Sequence, residues 1–128
     1  MEIMFLVDAN IFLAILLRES KDAACRDFLS ANPGQLHISD FSLHSIGLAL
    51  QRLGKADVFK KFVEDALPLV SLVTLPIELY REMPSVGDTL DLDFDDSYQY
   101  LIAKHHGMCV VTLDRDFLKA KGIKVKFL

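Results

Sequence analysis

MFLVDAN, residues 4–10, opens on four consecutive apolar residues and closes on a carboxylate and an amide. An unbroken run of Met4, Phe5, Leu6 and Val7 reads as a strand covered on both faces, as in a parallel sheet; a half-exposed strand would alternate apolar with polar. Asp8 then falls where the strand stops, and Asn10 falls on the first turn of the next element. In open α/β sheets, ligands bind outside the carboxyl ends of the strands. Asp8 is therefore expected at the mouth of the fold. A second strand followed by acids is written near the other end of the chain, MCVVTLDRDF from Met108 to Phe117, and DLDFDDSYQYLIAK from Asp91 to Lys104 puts further carboxylates at the start of a helix.

The rest of the chain alternates in the same sense. After Asp8, Ile11 to Arg18 is expected as a helix, apolar nearly all round and so largely buried. Asp22 to Ser30 follows as a second helix, Asn32-Pro33-Gly34 as a turn, and Leu36, His37 and Ile38 as a short strand. Ser39 and Asp40 suit the N-cap of a helix running to about Leu53, which Gly54 ends. Lys55 to Leu67 is amphipathic and Pro68 closes it; Val70 to Leu75 reads as the third strand. Pro76 is placed for the first turn of a helix through Met83 that Pro84 ends, with Ser85 to Asp91 as a polar loop. Phe94 to His106 is a helix stopped by Gly107, Cys109 to Leu113 the fourth strand, Asp116 to Lys121 a short helix, and Ile123 to Phe127 an edge strand. The spacing predicts a single domain over residues 1–128, a three-layer α/β/α sandwich around a mainly parallel sheet.

Composition narrows the function classes. With 128 residues, 52% apolar and 25% charged, the chain is long enough for a real core. No apolar stretch approaches the roughly 20 residues of a membrane span, and no signal peptide is written at the N-terminus, so a cytoplasmic protein without a membrane partner is expected. Cys25 and Cys109 do not make a disulfide framework and read as small buried hydrophobes. The formal charge of −4 argues against nucleic acid as a partner until its distribution is considered. Asp88, Asp91, Asp93, Asp95 and Asp96 crowd one stretch, while Lys104, Arg115, Lys119, Lys121, Lys124 and Lys126 gather towards the C-terminus. Such a pattern is either solvated surface or a metal-binding mouth flanked by phosphate contacts.

Hard divalent cations such as Mg²⁺ and Mn²⁺ take oxygen ligands. Burying several carboxylates together without a cation raises their pKa values. Asp8 and Asp114 each follow a buried strand, which favours one shared cleft; the alternative is that each only caps the helix after it. Asp91, Asp93 and Asp95 imitate a calcium-binding EF-hand loop, but Asp96 stands where that loop needs Gly and Ile102 where it needs a bidentate Glu. Asp95 and Asp96 belong instead to the first turn of a helix, about 100° apart, so only one of them aims at the cleft and Asp93 is the expected cap. His37, His44, His105 and His106 form no spaced ligand pair and read as surface or half-buried residues, and Tyr98 and Tyr100 as packing residues. A phosphoaspartate receiver is disfavoured because Asp8 has no acidic neighbour.

LVDANIF (Leu6 to Phe12), DFDDSYQYLIAK (Asp93 to Lys104) and VVTLDRDF (Val110 to Phe117) together resemble the three signature segments of PIN domains, in order and over nearly the whole chain. They are most similar to the small PIN proteins of VapBC toxin–antitoxin pairs. The resemblance implies a Mg²⁺- or Mn²⁺-dependent ribonuclease acting on RNA, a homodimer with the apolar helix Ile11 to Leu17 as a candidate contact, held inactive by a partner antitoxin. By position it implies that Asp8, Asp96 and Asp114 bind the metal, that Asp116 is an additional acid, and that Asn10 and Thr112 support them by hydrogen bonds. Arg115 and Lys119 are then the expected nucleic-acid contacts. One departure stands out: the family's Glu on the helix after the second strand falls at Ser45. His44 lies about 100° round that helix, and Asp40 roughly 140° away, so neither replaces it easily. A metal-dependent nuclease is therefore weighed against a PIN-fold module that binds RNA or protein without cleaving.

Overall fold

The structure, a computed structural model, describes residues 2–128. Its elements are β1 (Phe5–Val7), α1 (Ala9–Leu16), α2 (Asp22–Ala31), β2 (Leu36–Ser39), α3 (Asp40–Arg52), α4 (Ala56–Asp65), β3 (Ser71–Val73), α5 (Met83–Leu90), α6 (Phe94–His106), β4 (Cys109–Thr112) and β5 (Val125–Phe127), with 3₁₀ turns at Leu67–Leu69, Ile77–Glu82 and Arg115–Lys119. The five strands form one sheet in the order β3-β2-β1-β4-β5, and every pairing is parallel. β1 is thus the central strand, as its uninterrupted apolar run requires.

Side chains alternate across a strand, so the sheet has two apolar faces. Phe5 and Val7 point into a core with Ile11 and Phe12 of α1, Cys25 and Phe28 of α2, Ile46 and Leu50 of α3 and Phe62 of α4. Leu6 points the other way, into a core with Met83 of α5, Tyr98, Leu101 and Ile102 of α6, and Phe117. Helices cover both faces, as the alternation of elements implies. Burial of Phe5, Leu6 and Val7 contributes roughly 5 to 9 kcal/mol together, comparable with the net stability of a whole domain. The end of β1, and with it Asp8, is held firmly in place.

Several sequence expectations are corrected. Pro84 does not end a helix: it sits in the first turn of α5, and Ser85 to Leu90 is helical rather than a polar loop. The first helical N–H groups have no acceptor within the helix, so a residue lacking that donor starts a helix without loss. Ile77–Glu82 before it is 3₁₀, as is Arg115–Lys119, where a short helix over Asp116 to Lys121 is expected from sequence. The strand expected over Val70 to Leu75 shortens to Ser71–Val73, because Val70 directly follows the turn that contains Pro68. His37 is buried in β2, between β1 and β3, rather than at the surface; the other histidines are exposed. Cys25 is buried and Cys109 half-buried. Among the described residues, no helix is long and apolar enough to cross a membrane.

Candidate metal centre

β1 and β4 lie side by side with Val7 opposite Val111, so the residues that follow each strand emerge together. They are stitched by side chains. The Thr112 hydroxyl donates to Asp8 Oδ2 at 2.8 Å and accepts the Asp114 N–H at 2.9 Å. Asn10 Nδ2 donates to the same Asp8 oxygen and to Thr112 Oγ1, both at 3.2 Å, and Asn10 Oδ1 accepts the Leu113 N–H at 3.2 Å. Asp8 Oδ1 accepts the Ala9 N–H at 2.8 Å and caps α1. The supporting positions expected from sequence, Asn10 and Thr112, therefore both bond to Asp8.

Capping does not keep these acids apart. Asp114 caps the 3₁₀ turn after β4 through Oδ1, which accepts the Asp116 N–H at 2.9 Å. Asp93 caps α6 by accepting the Asp96 N–H at 2.8 Å, as its position in the sequence suggests. Asp96, in the first turn of α6, then meets the residues that follow β4. Asp96, Asp114 and Asp116 each bring a carboxylate oxygen to within 4.8 Å of the other two. Asp8 is not one of these three; its charge still acts on Asp96, and that of Asp114 on Asp8. The acids expected from sequence are thus gathered at one lip of the sheet, with Asp116 in the tight cluster and Asp8 beside it.

The electrostatics match. Burial, with the neighbouring charges of Asp93, Asp114, Asp8 and Asp116, pushes the Asp96 carboxyl up to about 7. Burial also raises that of Asp8, opposed in part by the hydrogen bonds from Thr112 and Ala9. Like charges held this closely repel, and a divalent cation relieves the repulsion. A donor set made only of carboxylate oxygens suits a hard cation rather than zinc.

A family model for the PIN domain matches residues 5–123. The chain belongs to the PIN domain family. Its fold is also that of solved structures: DNA-bound VapBC from Salmonella typhimurium, with TM-score 0.80 at 16% identity over 98% of both chains, and FitAcB from Neisseria gonorrhoeae, with TM-score 0.74 at 23% identity over 95% of this chain and 96% of that one. A toxin–antitoxin complex from Klebsiella pneumoniae gives a TM-score of 0.72 at 19% identity over 94% of both. No curated protein matches the sequence.

Ser45, where a Glu is expected, is half-buried and brings no charge. One turn earlier Ser42 is buried, its N–H donating to Ser39 Oγ at 3.0 Å and its hydroxyl accepting Gln99 Nε2 at 3.0 Å. Gln99, one turn after Asp96 on α6, is 2% exposed, and its Oε1 has no protein partner among the described residues. Sequence reading overlooked this buried amide; the signal available was its spacing of three from Asp96. Asp40 does not fill the gap, because the Tyr98 hydroxyl donates to it at 2.6 Å and it is not among the charges acting on Asp96. Of the two expected nucleic-acid contacts, Arg115 lies with its guanidinium 4.9 Å from the centre of the Phe127 ring. Lys119 donates to the Asp91 carbonyl at 3.2 Å and pairs with its carboxylate at 3.4 Å.

Proposed function

We propose that this chain is a Mg²⁺- or Mn²⁺-dependent endoribonuclease of the VapC kind, hydrolysing RNA phosphodiesters. The observation that carries the reading is the convergence of Asp96, Asp114 and Asp116, with Asp8 beside them, from three distant segments onto one lip of a parallel sheet. Asp96, Asp114 and Asp8 are the proposed metal ligands, and Asp116 completes the shell or orients the attacking water. Asn10 and Thr112 fix the orientation of the Asp8 carboxylate at the edge of the cluster, where it would join Asp96 and Asp114 in holding the cation. A bound Mg²⁺ or Mn²⁺ supplies polarisation of the phosphate and a water acidic enough to attack phosphorus. Arg115 is exposed next to the acids and offers a charge to the flanking phosphates; Lys119 does the same once released from Asp91.

The partner is proposed from the neighbours. The Klebsiella pneumoniae structure is a toxin–antitoxin complex, and the Salmonella typhimurium VapBC is bound to DNA, so a cognate antitoxin belongs to this reading. So does a homodimer, for which Ile15 and Leu16 of α1 offer apolar surface beside Phe62 and Leu69, around an open cavity of about 500 Å³.

The test is cleavage. Single-stranded RNA is incubated with the protein and Mn²⁺, with and without EDTA, beside an Asp8→Asn variant. Chelator-sensitive cleavage that the variant loses is expected; cleavage indifferent to EDTA and to the variant would sink the reading. Ser45 favours a second reading, a module that binds RNA or protein without cutting, and complete absence of cleavage at any Mn²⁺ concentration would select it.

A further inference from the structure

Beside the acids, a cavity of about 560 Å³ opens between the start of α3, the 3₁₀ turn Ile77–Glu82 and the start of α6. Phe41, Tyr80 and Phe94 line it, together with the carboxylates of Asp40 and Asp95. Phe94 is 65% exposed and stands outside both apolar cores, so the fold makes no use of it. Tyr80 is also exposed, its ring centred 5.8 Å from that of Tyr98. Tyr98 itself is fixed, donating to Asp40 Oδ1 at 2.6 Å and accepting the Leu75 N–H at 3.2 Å. Asp40 therefore keeps one oxygen free, and Asp95 accepts no hydrogen bond among the described residues.

The cavity meets the proposed catalytic mouth at the first turn of α6, where Asp95 lines the one and Asp96 belongs to the other. Adjacent helical residues point about 100° apart, so while Asp96 faces the acid cluster its neighbour Asp95 faces the cavity. On α3, His44 lines the cavity next to Ser45, the position of the missing Glu.

We infer that this cavity is a base subsite of the RNA substrate, adjacent to the scissile phosphate, and that it takes guanine. The inference rests on the ribonuclease reading for its place in the reaction, but not for the binding itself. Exposed aromatic rings stack on any nucleobase, since every base has a π-face. The polar wall also carries His44 and the Tyr80 hydroxyl, but the selection falls to Asp95, whose carboxylate only accepts hydrogen bonds. Guanine presents two adjacent donors, N1–H and the N2 amino group, which suit the two free oxygens of Asp95. Adenine and cytosine present one amino group beside an acceptor, and uracil one N–H between two carbonyls, so each would set a lone pair against a carboxylate oxygen. Only the uncharged base enters; the phosphates stay with the cation and with Arg115. An apolar side chain from a partner protein, or from a second copy, would fit the rings but bury Asp95 and the free Asp40 oxygen without donors.

The experiment is titration of the full-length protein with guanosine and with inosine, which lacks the N2 amino group, in EDTA and followed by amide NMR shifts, with sedimentation run in parallel. Guanosine is expected to shift residues lining the cavity and to bind about tenfold more tightly than inosine, one charge-assisted hydrogen bond apart. Phe94→Ala should weaken both nucleosides alike, and its exposure makes misfolding no explanation; Asp95→Asn should erase the preference and spare inosine. Equal affinities, no shifts at the cavity, or a dimer that Phe94→Ala dissolves would each overturn the inference. Guanosine selection without any RNA cleavage keeps the subsite and removes the nuclease. Cleavage without guanosine binding does the reverse.

Discussion

The Thr112 hydroxyl donates to Asp8 Oδ2 at 2.8 Å, joining residues 104 positions apart at the ends of two neighbouring strands. The same hydroxyl oxygen accepts the Asp114 N–H, so one buried side chain sets both the first acid of the site and the backbone that carries another.

Thr112→Val keeps the shape of that side chain and removes its hydrogen bonds. It leaves the Asp114 N–H without its acceptor, and destabilisation by about 1 to 3 kcal/mol is expected in chemical denaturation. Mn²⁺ affinity should fall by roughly 10- to 100-fold, as for other groups that orient a metal ligand, which calorimetric titration would measure. An unchanged affinity would mean that Asp8 needs no support.

Asp114→Asn should separate stability from function. The amide oxygen can still cap the Asp116 N–H, while one of the mutually repelling charges is gone. The metal-free variant is expected to melt no lower than the parent. Added Mn²⁺ should stabilise the parent and leave the variant unmoved, a contrast that thermal melts with and without the ion would read directly.

The pH dependence has a definite sign. The Asp96 carboxyl, pushed from 3.8 up to about 7, holds its proton more tightly in the folded chain than in the unfolded one. Its contribution to stability is full below 3.8 and is lost as pH rises through about 7. Asp8, also raised, acts in the same direction. The melting temperature of the metal-free protein should therefore decline across that window from these two groups. Mn²⁺ binding should strengthen over the same range, because the cation needs the carboxylate. Melts in EDTA and in Mn²⁺ at a series of pH values should diverge upward; parallel curves would count against the cluster as a metal site.

Ser45→Glu places a carboxylate on α3 where the resemblance to PIN domains implies one. If Asp96, Asp114, Asp116 and Asp8 already hold the ion, the added carboxylate should raise Mn²⁺ affinity and RNA cleavage by about tenfold or more, on the order of one further charged ligand. Single-turnover cleavage at limiting Mn²⁺ is the measurement. No gain would show that the gap at Ser45 is not what limits the site.

Tyr98→Phe probes the neighbouring corner. It removes the donor to Asp40 and the acceptor of the Leu75 N–H, both from a buried ring, and about 1 to 3 kcal/mol of stability should go with them. Urea denaturation would show it, and a cost near zero would mean that water replaces both bonds.

Local chemistry is legible wherever a residue acts through its immediate neighbours along the chain. The apolar run before Asp8 announces a central parallel strand, Gly107 ends α6 in the left-handed conformation at φ 68°, and Asp93 caps the helix that Asp96 opens. Pro84 shows the limit, because a proline both ends one helix and begins another, and only what packs around it decides. Met83 beside it is 2% exposed, and Val86 and Leu90 pack against the same core, so an i, i+3, i+7 apolar stripe holds α5 in place once the proline is read as its start.

The amino-acid sequence alone established an α/β chain of PIN type, with acids at the ends of β1 and β4 and at the head of α6, because strand period, caps and acid positions are properties of short segments. Which acids share one place was decided only by the tertiary structure. Parallel pairing of β1 with β4 sets Asp8 beside Thr112, and the turn after β4 swings Asp116 towards Asp96. The same packing turned Gln99 inward onto Ser42 and left Phe94 facing water. The physical reason is that a carboxylate's ligand chemistry depends on distances of a few ångströms between segments up to a hundred residues apart, and those distances are set by the burial of the two apolar cores.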